Sequence, residues 1–452
     1  MSGLFGALRA SANSLHLLEY SLSATQNNVN NASTPGFAKQ RLLPVPAPFV
    51  PEQGLPGGIM PGQVESLRNE YAERSVRQET HLWARFDQFS NDLSRIERLF
   101  DISGETGIPG ALSKLFQSFS AWSLAPNDIG PRREVIDRAT EAAARFAETA
   151  ASLNSTSTIL DQQVRDAVEA INNLASSIRD LNLQLQRDYH ARSDPSLDAR
   201  LHATLENLAE YTDYTALFQP DGTVTILMGG QVPLVIGGRQ YRIEPEFTGA
   251  ETRILDADGK DVTAQAVTGR LGAMLELKNT ILPSYMSELN RLASSLADDV
   301  NAMLAAGLDT NGNPGAPLFT YNSADDAAST LRVTGITPEQ LAAAAPGAPL
   351  GNSNALALAG LATAAKLDGL SYTAFYGRIA TTIGQALHGS RSNRDTHEQL
   401  LLQSRSIRDE ISAVSLDEEA ARLIEFQRAY EATARVIVIL NELTQTTIDM
   451  MR

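Results

Sequence analysis

The feature that most constrains this chain is a narrow apolar stripe along each of its ends. At alternating steps of four and three residues, the N-terminal segment carries Leu4, Leu8, Ser11, Leu15, Leu18, Leu22, Thr25 and Val29. The same steps near the C-terminus carry Leu423, Phe426, Tyr430, Thr433, Ile437, Leu440, Thr444, Thr447 and Met451. This spacing is typical of helices that bury one stripe against another helix, and the first would be a rod roughly 40 Å long. Because no globular segment adjoins either rod in sequence, we predict that the termini pair with each other, and with copies of themselves, as coiled coils.

Composition excludes several classes of protein. The chain of 452 residues has no cysteine, which removes thiol nucleophiles, iron-sulfur clusters, thiolate zinc sites and disulfide frameworks. Its 53 acidic and 37 basic residues give a net charge of −16, which repels phosphate backbones, so no nucleic acid partner is expected. We also expect no membrane span, because no apolar run approaches the ~18–20 residues that one needs. The first 30 residues lack the pattern of a cleavable secretory signal, so export would need a dedicated machine.

The middle of the chain combines more helices with one region of strand-like pattern. Three further stripes of helical spacing run over 82–100, 164–185 and 282–303. The proline-rich stretch 44–62 predicts an extended linker that leaves the first rod. Short alternating apolar runs from Tyr214 to about Thr268, punctuated by Gly229-Gly230 and Gly237-Gly238, predict strands and tight turns.

These patterns predict a mainly α fold with a small inserted β domain, long terminal helices that pair as a coiled coil, and a discontinuous helical-bundle body. The expected domains are a terminal coiled-coil assembly domain (1–43 with 415–452), a discontinuous helical domain (44–212 with 269–414) and an inserted β domain (213–268).

A search for chemistry predicts no catalytic residue, cofactor or metal site. His397-Glu398 lacks the second histidine of a metalloprotease motif, and Gly259-Lys260 reads as a turn instead of a phosphate loop. The remaining histidines are scattered and fit solvated helix faces: His16, His81, His190, His202 and His388. The run from Asp309 to Pro314 starts like a calcium loop, but proline stands at position six and Thr320 at position twelve, which favours a surface turn built on Asp309. Acidic pairs such as Asp298/Asp299 fit solvated helix faces.

The end of the first rod carries a specified helix stop. Asparagines tolerate left-handed backbone, Pro35 forbids helix at Thr34, and Gly36 supplies a conformation that other residues resist. The composite of Asn27, Asn30, Asn31, Ala32, Thr34, Pro35, Gly36 and Phe37 resembles the N-terminal signature of flagellar axial proteins, the bacterial rod, hook and hook-associated family. The segment from Val414 to Glu419, with the stripe after it, is similar to the closing helix of the same family.

Segments in the middle narrow this resemblance to the family of the first hook-associated protein. In order, the similar segments are Pro126 to Val135, Ile171-Asn172, Leu181-Asn182, Leu197 to Arg200, Gly269 to Gly272, Leu289 to Asn301, Gly307 to Gly312 and Asn352 to Leu361. The chain departs from the pattern at Ala199 and Leu201, and we expect it to lack the outer domain that longer members insert after the Phe319 region.

The resemblance implies a structural subunit of the flagellum and no enzyme. Such a subunit is exported through the flagellar type III channel, lies outside the cell at the hook-filament junction, and adapts the distal hook to the flagellin filament. Its implied partners are copies of itself in a helical lattice, the hook protein, the next hook-associated protein toward the filament, and a cytoplasmic export chaperone. The residues expected to pack in the inner tube are Leu8, Leu15, Leu18, Leu22, Val29, Leu423, Phe426, Tyr430, Ile437 and Leu440.

Two alternatives stay open at this point. The chain could be another axial subunit, either the third hook-associated protein or a hook protein. A more remote reading is an exported carbohydrate-active enzyme with coiled-coil ends, which would use some of the carboxylates.

Overall fold

The computed structural model describes residues 2–47, 58–101, 106–188, 191, 194–249, 251–347 and 351–450. His190 and Met451 lie outside these residues. The helices are α1 (Ser2–Asn31), α2 (Glu70–Glu97), α3 (Gly107–Leu124), α4 (Ile129–Arg187), α5 (Pro195–Tyr211), α6 (Gly269–Glu276), α7 (Leu282–Ala306), α8 (Ala327–Thr330), α9 (Ser353–Gly360), α10 (Tyr372–Ser412) and α11 (Leu416–Asp449). The strands are β1 (Gln40–Pro46), β2 (Ile59–Ser66), β3 (Tyr214–Phe218), β4 (Val224–Met228), β5 (Val232–Ile236), β6 (Arg239–Gln240), β7 (Glu244–Glu246), β8 (Arg253–Leu255), β9 (Phe319–Thr320) and β10 (Arg332–Val333). The predicted mainly α fold with small β elements and long terminal helices is confirmed.

The proline-rich stretch after the first helix forms a hairpin, which corrects the prediction of an extended linker. Strands β1 and β2 pair antiparallel, with Pro44 opposite Pro61 and Pro46 opposite Ile59. A two-stranded sheet consists of edges only, so prolines fit where a central strand would reject them. Residues 48–57, which include Pro51 and Pro56, lie outside the described residues.

The predicted β region contains two separate sheets. Strands β3 to β6 form one antiparallel sheet in the order β3-β4-β5-β6, and β7 pairs with β8 in another. The predicted runs become β4 and β5, and both glycines of the turn between them, Gly229 and Gly230, have positive φ. Contacts divide this region between two compact units at residues 243 and 244, because the two sheets are anchored to different parts of α4.

The first compact unit comprises residues 1–83, 170–243 and 396–452. Asparagines on α4 anchor its sheet: the Asn182 side chain donates to the carbonyls of Val224 and Gly237, both at 2.8 Å, and accepts from the Val224 N–H at 2.9 Å. Asn172 brackets Ile243 in the same way. The terminal helices α1 and α11 pack against each other within this unit.

The second compact unit comprises residues 84–169 and 244–395. Its core includes the rings of Phe100, Tyr285 and Tyr376, which pack together with centroids 5.8 to 6.4 Å apart. Buried Arg132 at the start of α4 donates to the carbonyls of Pro126, Pro338 and Leu341, and so ties the loop-rich stretch after α7 to the helices. These contacts explain how a segment with little regular structure becomes part of the core.

The run at Asp309 forms the turn that its sequence favours. One carboxylate oxygen of Asp309 accepts from the N–H groups of Asn311 and Asn313, both at 2.8 Å, and Gly312 has a φ of 82°. The Asp309 carboxylate thus serves as the hydrogen-bond acceptor for backbone N–H groups of its own turn. Within the described ranges, no helix is long and apolar enough to cross a membrane.

Candidate assembly interface

The interface predicted between the chain termini begins with an antiparallel pair of helices. Asn28 of α1 contacts Glu419 near the start of α11, whereas Glu19, nine residues earlier, accepts from the Tyr430 hydroxyl at 3.3 Å. The contacts therefore move backward along α1 as they move forward along α11. The first and last helices of the chain thus lie side by side over much of their length.

The predicted stripes lie on the less exposed sides of both helices. Leu8, Leu15, Leu18 and Leu22 are half-buried on α1, and Thr25 is buried. On α11 the residues at the predicted spacing are half-buried, namely Leu423, Phe426, Tyr430, Thr433, Ile437, Leu440 and Thr447, with Thr444 buried. Val29 is 36% exposed in the single chain, so its place in an interface stays a prediction.

A second apolar row on α11 is open to solvent. Val436, Ile439 and Leu443 are 46, 54 and 50% exposed, and Ala432 continues the row one turn earlier. These residues also follow steps of four and three, each displaced by one position from the half-buried stripe. One copy of the chain therefore covers only part of the apolar surface of α11, which is the pattern of a helix with a further partner.

A polar junction closes the seam where α1 ends and α11 begins. The Asn28 amide donates to a Glu419 carboxylate oxygen at 2.9 Å and to the Gln40 carbonyl at 3.0 Å, and its oxygen accepts from the Gln40 N–H at 2.8 Å. Asn28 and Glu419 are 1% and 0% exposed, and Arg422 lies 3.4 Å from the second Glu419 oxygen. Polar groups buried this deeply fix the register of two helices, because any slip leaves them without partners.

The segment that enters β1 is held in this junction by the end of α10. The Lys39 N–H donates to the Ser412 carbonyl at 2.7 Å, and the Lys39 carbonyl accepts from the Leu67 N–H at 2.9 Å. The Ser412 hydroxyl donates to the Leu67 carbonyl at 3.2 Å. A cavity of about 350 Å³ lies beside this segment, lined by α1, β1 and α11 residues that include Leu17, Leu42 and Phe426.

The turn at the end of α1 docks on helix α5. Gly36 has a φ of 74°, and a side chain there would meet the Ala199 carbonyl at 2.5 Å. Within the turn, the Asn31 side chain donates to Asn27, and Thr34 bonds Asn31. Ser33, Thr34 and Pro35 are exposed, whereas Phe37 is half-buried. The structure thus gives a steric reason for the glycine of the axial-protein motif.

Arg68 fastens this turn from the other side. Its guanidinium donates to the Gly36 carbonyl at 2.6 Å and to Asp198 of α5 at 2.7 and 3.0 Å, and it also bonds Glu73 of α2. Its side chain is only 8% exposed. Burial raises the pKa of Glu73 above its ordinary value even though the attraction of Arg68 opposes the shift.

A buried histidine lies next to this group of charges. The His202 ring stacks on Phe218 with centroids 5.7 Å apart, and its Nε2 lies 3.6 Å from Asp198. Burial, and then the positive charges of Arg68, Arg77 and Arg408, lower the pKa of His202 well below its ordinary value. The ring is therefore neutral at physiological pH, and it acts in packing.

Sequence reasoning located the stripes and the motif but missed the polar residues that lock them. Asn28, Arg68 and Glu419 each bind a partner far along the chain, and no spacing rule connects such pairs. Two signals were available: Asn28 stands between Thr25 and Val29 of the apolar stripe, and Glu419 is the acid of the first turn of α11 that faces the seam. Among the described residues, no cluster of histidine and carboxylate side chains is arranged to hold a metal ion.

Comparison with known proteins places these features in a family. The family model described as "Flagellar hook-associated protein FlgK helical domain" matches residues 93–319, half of the chain. The chain belongs to the FlgK family. A second model, "Flagellar basal body rod FlgEFG protein C-terminal", matches residues 407–450, which include all of α11. The resemblance predicted from the terminal and middle segments is thereby confirmed.

Individual relatives of the FlgK family agree with this placement. The chain is 24% identical to flagellar hook-associated protein 1 of Bacillus subtilis, over 100% of this chain and 99% of that protein. It is also 24% identical to flagellar hook-associated protein 1 of Salmonella typhimurium, over 71% of this chain and 61% of that protein. The structure of the flagellar hook junction protein FlgK from Burkholderia pseudomallei has a likeness in fold, with a TM-score of 0.68 at 14% identity, over 75% of this chain and all of that one.

Proposed function

We propose that the protein is a structural subunit of the bacterial flagellum that assembles at the hook-filament junction. The observation that carries this proposal is the antiparallel pair of terminal helices in a member of the FlgK family, with a second apolar row left open on α11. A subunit whose first and last helices form one unit can present that unit to neighbours in a tubular lattice. The terminal segments 1–43 and 415–452 then act as the assembly domain.

The open row on α11 is the surface proposed to contact a second copy of the chain. It is continuous with the seam between α1 and α11, because Ile439 and Leu443 lie one position before Leu440 and Thr444. Apolar surface of this kind is stabilised by removal from water, at about 25 cal/mol per Å². Neighbouring copies in a helical lattice use different surfaces of the same molecule, so the row needs no copy of itself as partner.

The proposed partners follow from this location. They are the hook protein on one side, the next hook-associated protein toward the filament on the other, and a cytoplasmic chaperone before export. Export without a cleavable signal through the type III channel requires an unfolded chain. Terminal helices that complete their burial only in a lattice suit this route, because their ordering is coupled to binding.

We propose a structural role without catalysis. Ionisable groups of the candidate interface, such as Glu73, Asp198 and Arg68, are engaged with one another or with the backbone. The third hook-associated protein, the hook protein and an exported carbohydrate-active enzyme are the alternatives. Removal of the gene separates the hook protein and the enzyme from the proposed role by phenotype.

The decisive experiment is a clean deletion of the gene, followed by electron microscopy of the cells and assay of flagellin in the medium. The proposal expects hooks without filaments, monomeric flagellin in the medium, and rescue by the intact gene. Absent hooks would move the protein inward to the hook, and normal filaments would contradict an axial role.

Point variants separate the seam from the lattice contact. Leu15→Asp places an unpaired charge in the seam, and Ile439→Asp places one on the open row, so we expect both to abolish rescue of motility. Ile439→Asp should leave the circular dichroism of the purified chain unchanged, because that side chain is exposed in the single copy.

The matched control is Ser23→Asp, which lies on the exposed side of α1 in a single copy. It should retain substantially more motility than Leu15→Asp. Full motility of Leu15→Asp would refute the proposed pairing of the terminal helices.

A further inference from the structure

The four-stranded sheet of the first unit has an open edge at β3. Asp213 accepts from the Gly229 N–H at 3.2 Å, and the Gln219 N–H donates to Thr223 at 2.8 Å, so odd-numbered residues face β4. Because bonding direction alternates along an antiparallel strand, Tyr214, Ala216 and Phe218 direct their N–H and C=O groups to the other side. Since β3 is at the end of the strand order, no strand of this sheet receives those groups.

A groove lies between this edge and helix α2. Its volume is about 740 Å³, within the range of ligand sites. The sheet side is lined by residues 213–217 and the turn Gly229-Gly230, and the helix side includes Arg74, Arg77 and His81. Leu217, on the sheet side of the groove, is 45% exposed.

Two polar groups that line the groove have no hydrogen-bond partner among the described residues. They are Nη1 of Arg77, a donor, and Oδ1 of Asp213, an acceptor. Arg77 is only 8% exposed, and its other terminal nitrogen binds Glu70. A buried donor or acceptor without a partner destabilises the protein, and a ligand that supplied both kinds of group to these two atoms would remove that cost.

We propose that this groove binds an extended acidic peptide segment, which adds a strand to β3 and places a carboxylate on Arg77. The main chain of an extended segment carries donors and acceptors in the alternating order that an open strand edge requires. Two arginines against one aspartate in the lining favour a negative side chain, on a protein whose overall charge is −16. Leu217 supplies apolar contact for an alternate side chain. The proposal does not depend on the assembly role of the termini.

The first test uses the full-length protein and fluorescein-labelled hexapeptides of alternating valine and threonine, with one glutamate at each internal position in turn. We expect saturable binding, measured by fluorescence anisotropy, for at least one placement of the glutamate. Replacing that glutamate by glutamine should weaken binding about tenfold, as should Arg77→Gln in the protein. The two changes together should cost no more than one alone, because they remove the same contact.

Two further measurements keep the test independent of folding defects. Peptides N-methylated at their odd positions and peptides N-methylated at their even positions should differ, because only one of the two sets loses the N–H groups that bond β3. One set should lose binding and the other should bind nearly as before, which distinguishes strand addition from simple charge attraction. Arg74→Gln, at the exposed rim of the groove, should weaken binding, whereas Arg9→Gln, equally exposed on α1, should not. Absence of saturable binding by every glutamate placement, or equal loss in both methylated sets, would overturn the proposal.

Discussion

At the scale of single residues, Gly36 shows how a sequence motif can be explained by sterics. Its left-handed backbone and its approach to the Ala199 carbonyl both exclude a side chain. Pro35 and the asparagines of the motif predicted a turn here, and the turn is present. The docking partner could not be predicted, because Ala199 is more than 160 residues away and carries no signal of its own.

We therefore expect Gly36→Ala to destabilise the protein by roughly 2 kcal/mol, through backbone strain and the clash with Ala199. The measurement is the urea midpoint of unfolding, followed by circular dichroism. Gly377→Ala is the control, because Gly377 lies inside α10 with no atom within 4 Å of an added Cβ. That change should stabilise by roughly 0.5–1 kcal/mol. Equal effects of the two changes would contradict the steric account.

His202 predicts a dependence of stability on pH. Below its ordinary pKa of about 6.5, the unfolded chain takes up a proton that the buried ring does not accept. The free energy of unfolding should therefore fall as pH drops from 7 toward 5, by up to about 1.4 kcal/mol per pH unit from this group. The raised pKa of Glu73 has the opposite sign, so the test compares variants at each pH.

His202→Leu should flatten this pH dependence. His388→Leu, a substitution of an exposed histidine on α10, should leave it as in the parent chain. Urea titrations at pH 7.5 and pH 5.5 give the difference in unfolding free energy between each of the two variants and the parent chain at each pH. If the free energy of unfolding of the His202 variant changes with pH as it does in the parent chain, the pKa of His202 is the same in the folded and unfolded states, and the prediction is wrong.

At the scale of secondary-structure elements, the spacing of apolar residues predicts the helices and strands, but it does not predict which of them pack together. The terminal stripes became α1 and α11, and the alternating runs became β4 and β5. The proline-rich stretch was misjudged as a linker, because prolines are acceptable on strands that have no interior neighbours. The β region was expected as one inserted domain, whereas Asn172 and Asn182 hold one sheet and Asp161 bonds the segment of the other.

The junction between α1 and α11 allows a test by compensation. Asn28→Asp places a second carboxylate against buried Glu419, and we expect a loss of about 3 kcal/mol together with loss of motility. Adding Glu419→Gln restores a donor opposite the new acid, and it should recover motility in part. The swimming diameter in soft agar measures both effects.

A general defect in folding would not be corrected by the second change. If the double variant is as impaired as Asn28→Asp alone, the contact between these two side chains does not set the register of the helices.

At the scale of the whole molecule, contacts within one copy divide the chain into two compact units built from interleaved segments, and the three domains expected from sequence stay a prediction. Helices α2, α4 and α10 each contribute residues to both units, so composition shifts along the chain do not mark the boundaries. The expected terminal assembly domain stays a proposal, since its definition depends on a lattice and not on contacts within one copy.

Hydrogen exchange can test that proposal on the intact protein. In the free monomer, amides of α1 and α11 should exchange at least tenfold faster than those on the buried side of α4, because the apolar row on α11 is exposed in a single copy. In assembled junctions the terminal amides should become protected. Equal protection of α1, α11 and α4 in the monomer would contradict folding on assembly.

The antiparallel seam between the first and last helices also has a consequence for synthesis. Asn28 and Glu19 of α1 have their partners in α11, at Glu419 and Tyr430, so these residues wait until translation has passed position 430. A chain that terminates early, at any point before α11, leaves the apolar side of α1 uncovered and the Asn28 amide without Glu419. The seam therefore distinguishes, by folding alone, a product that includes α11 from one that stops before it.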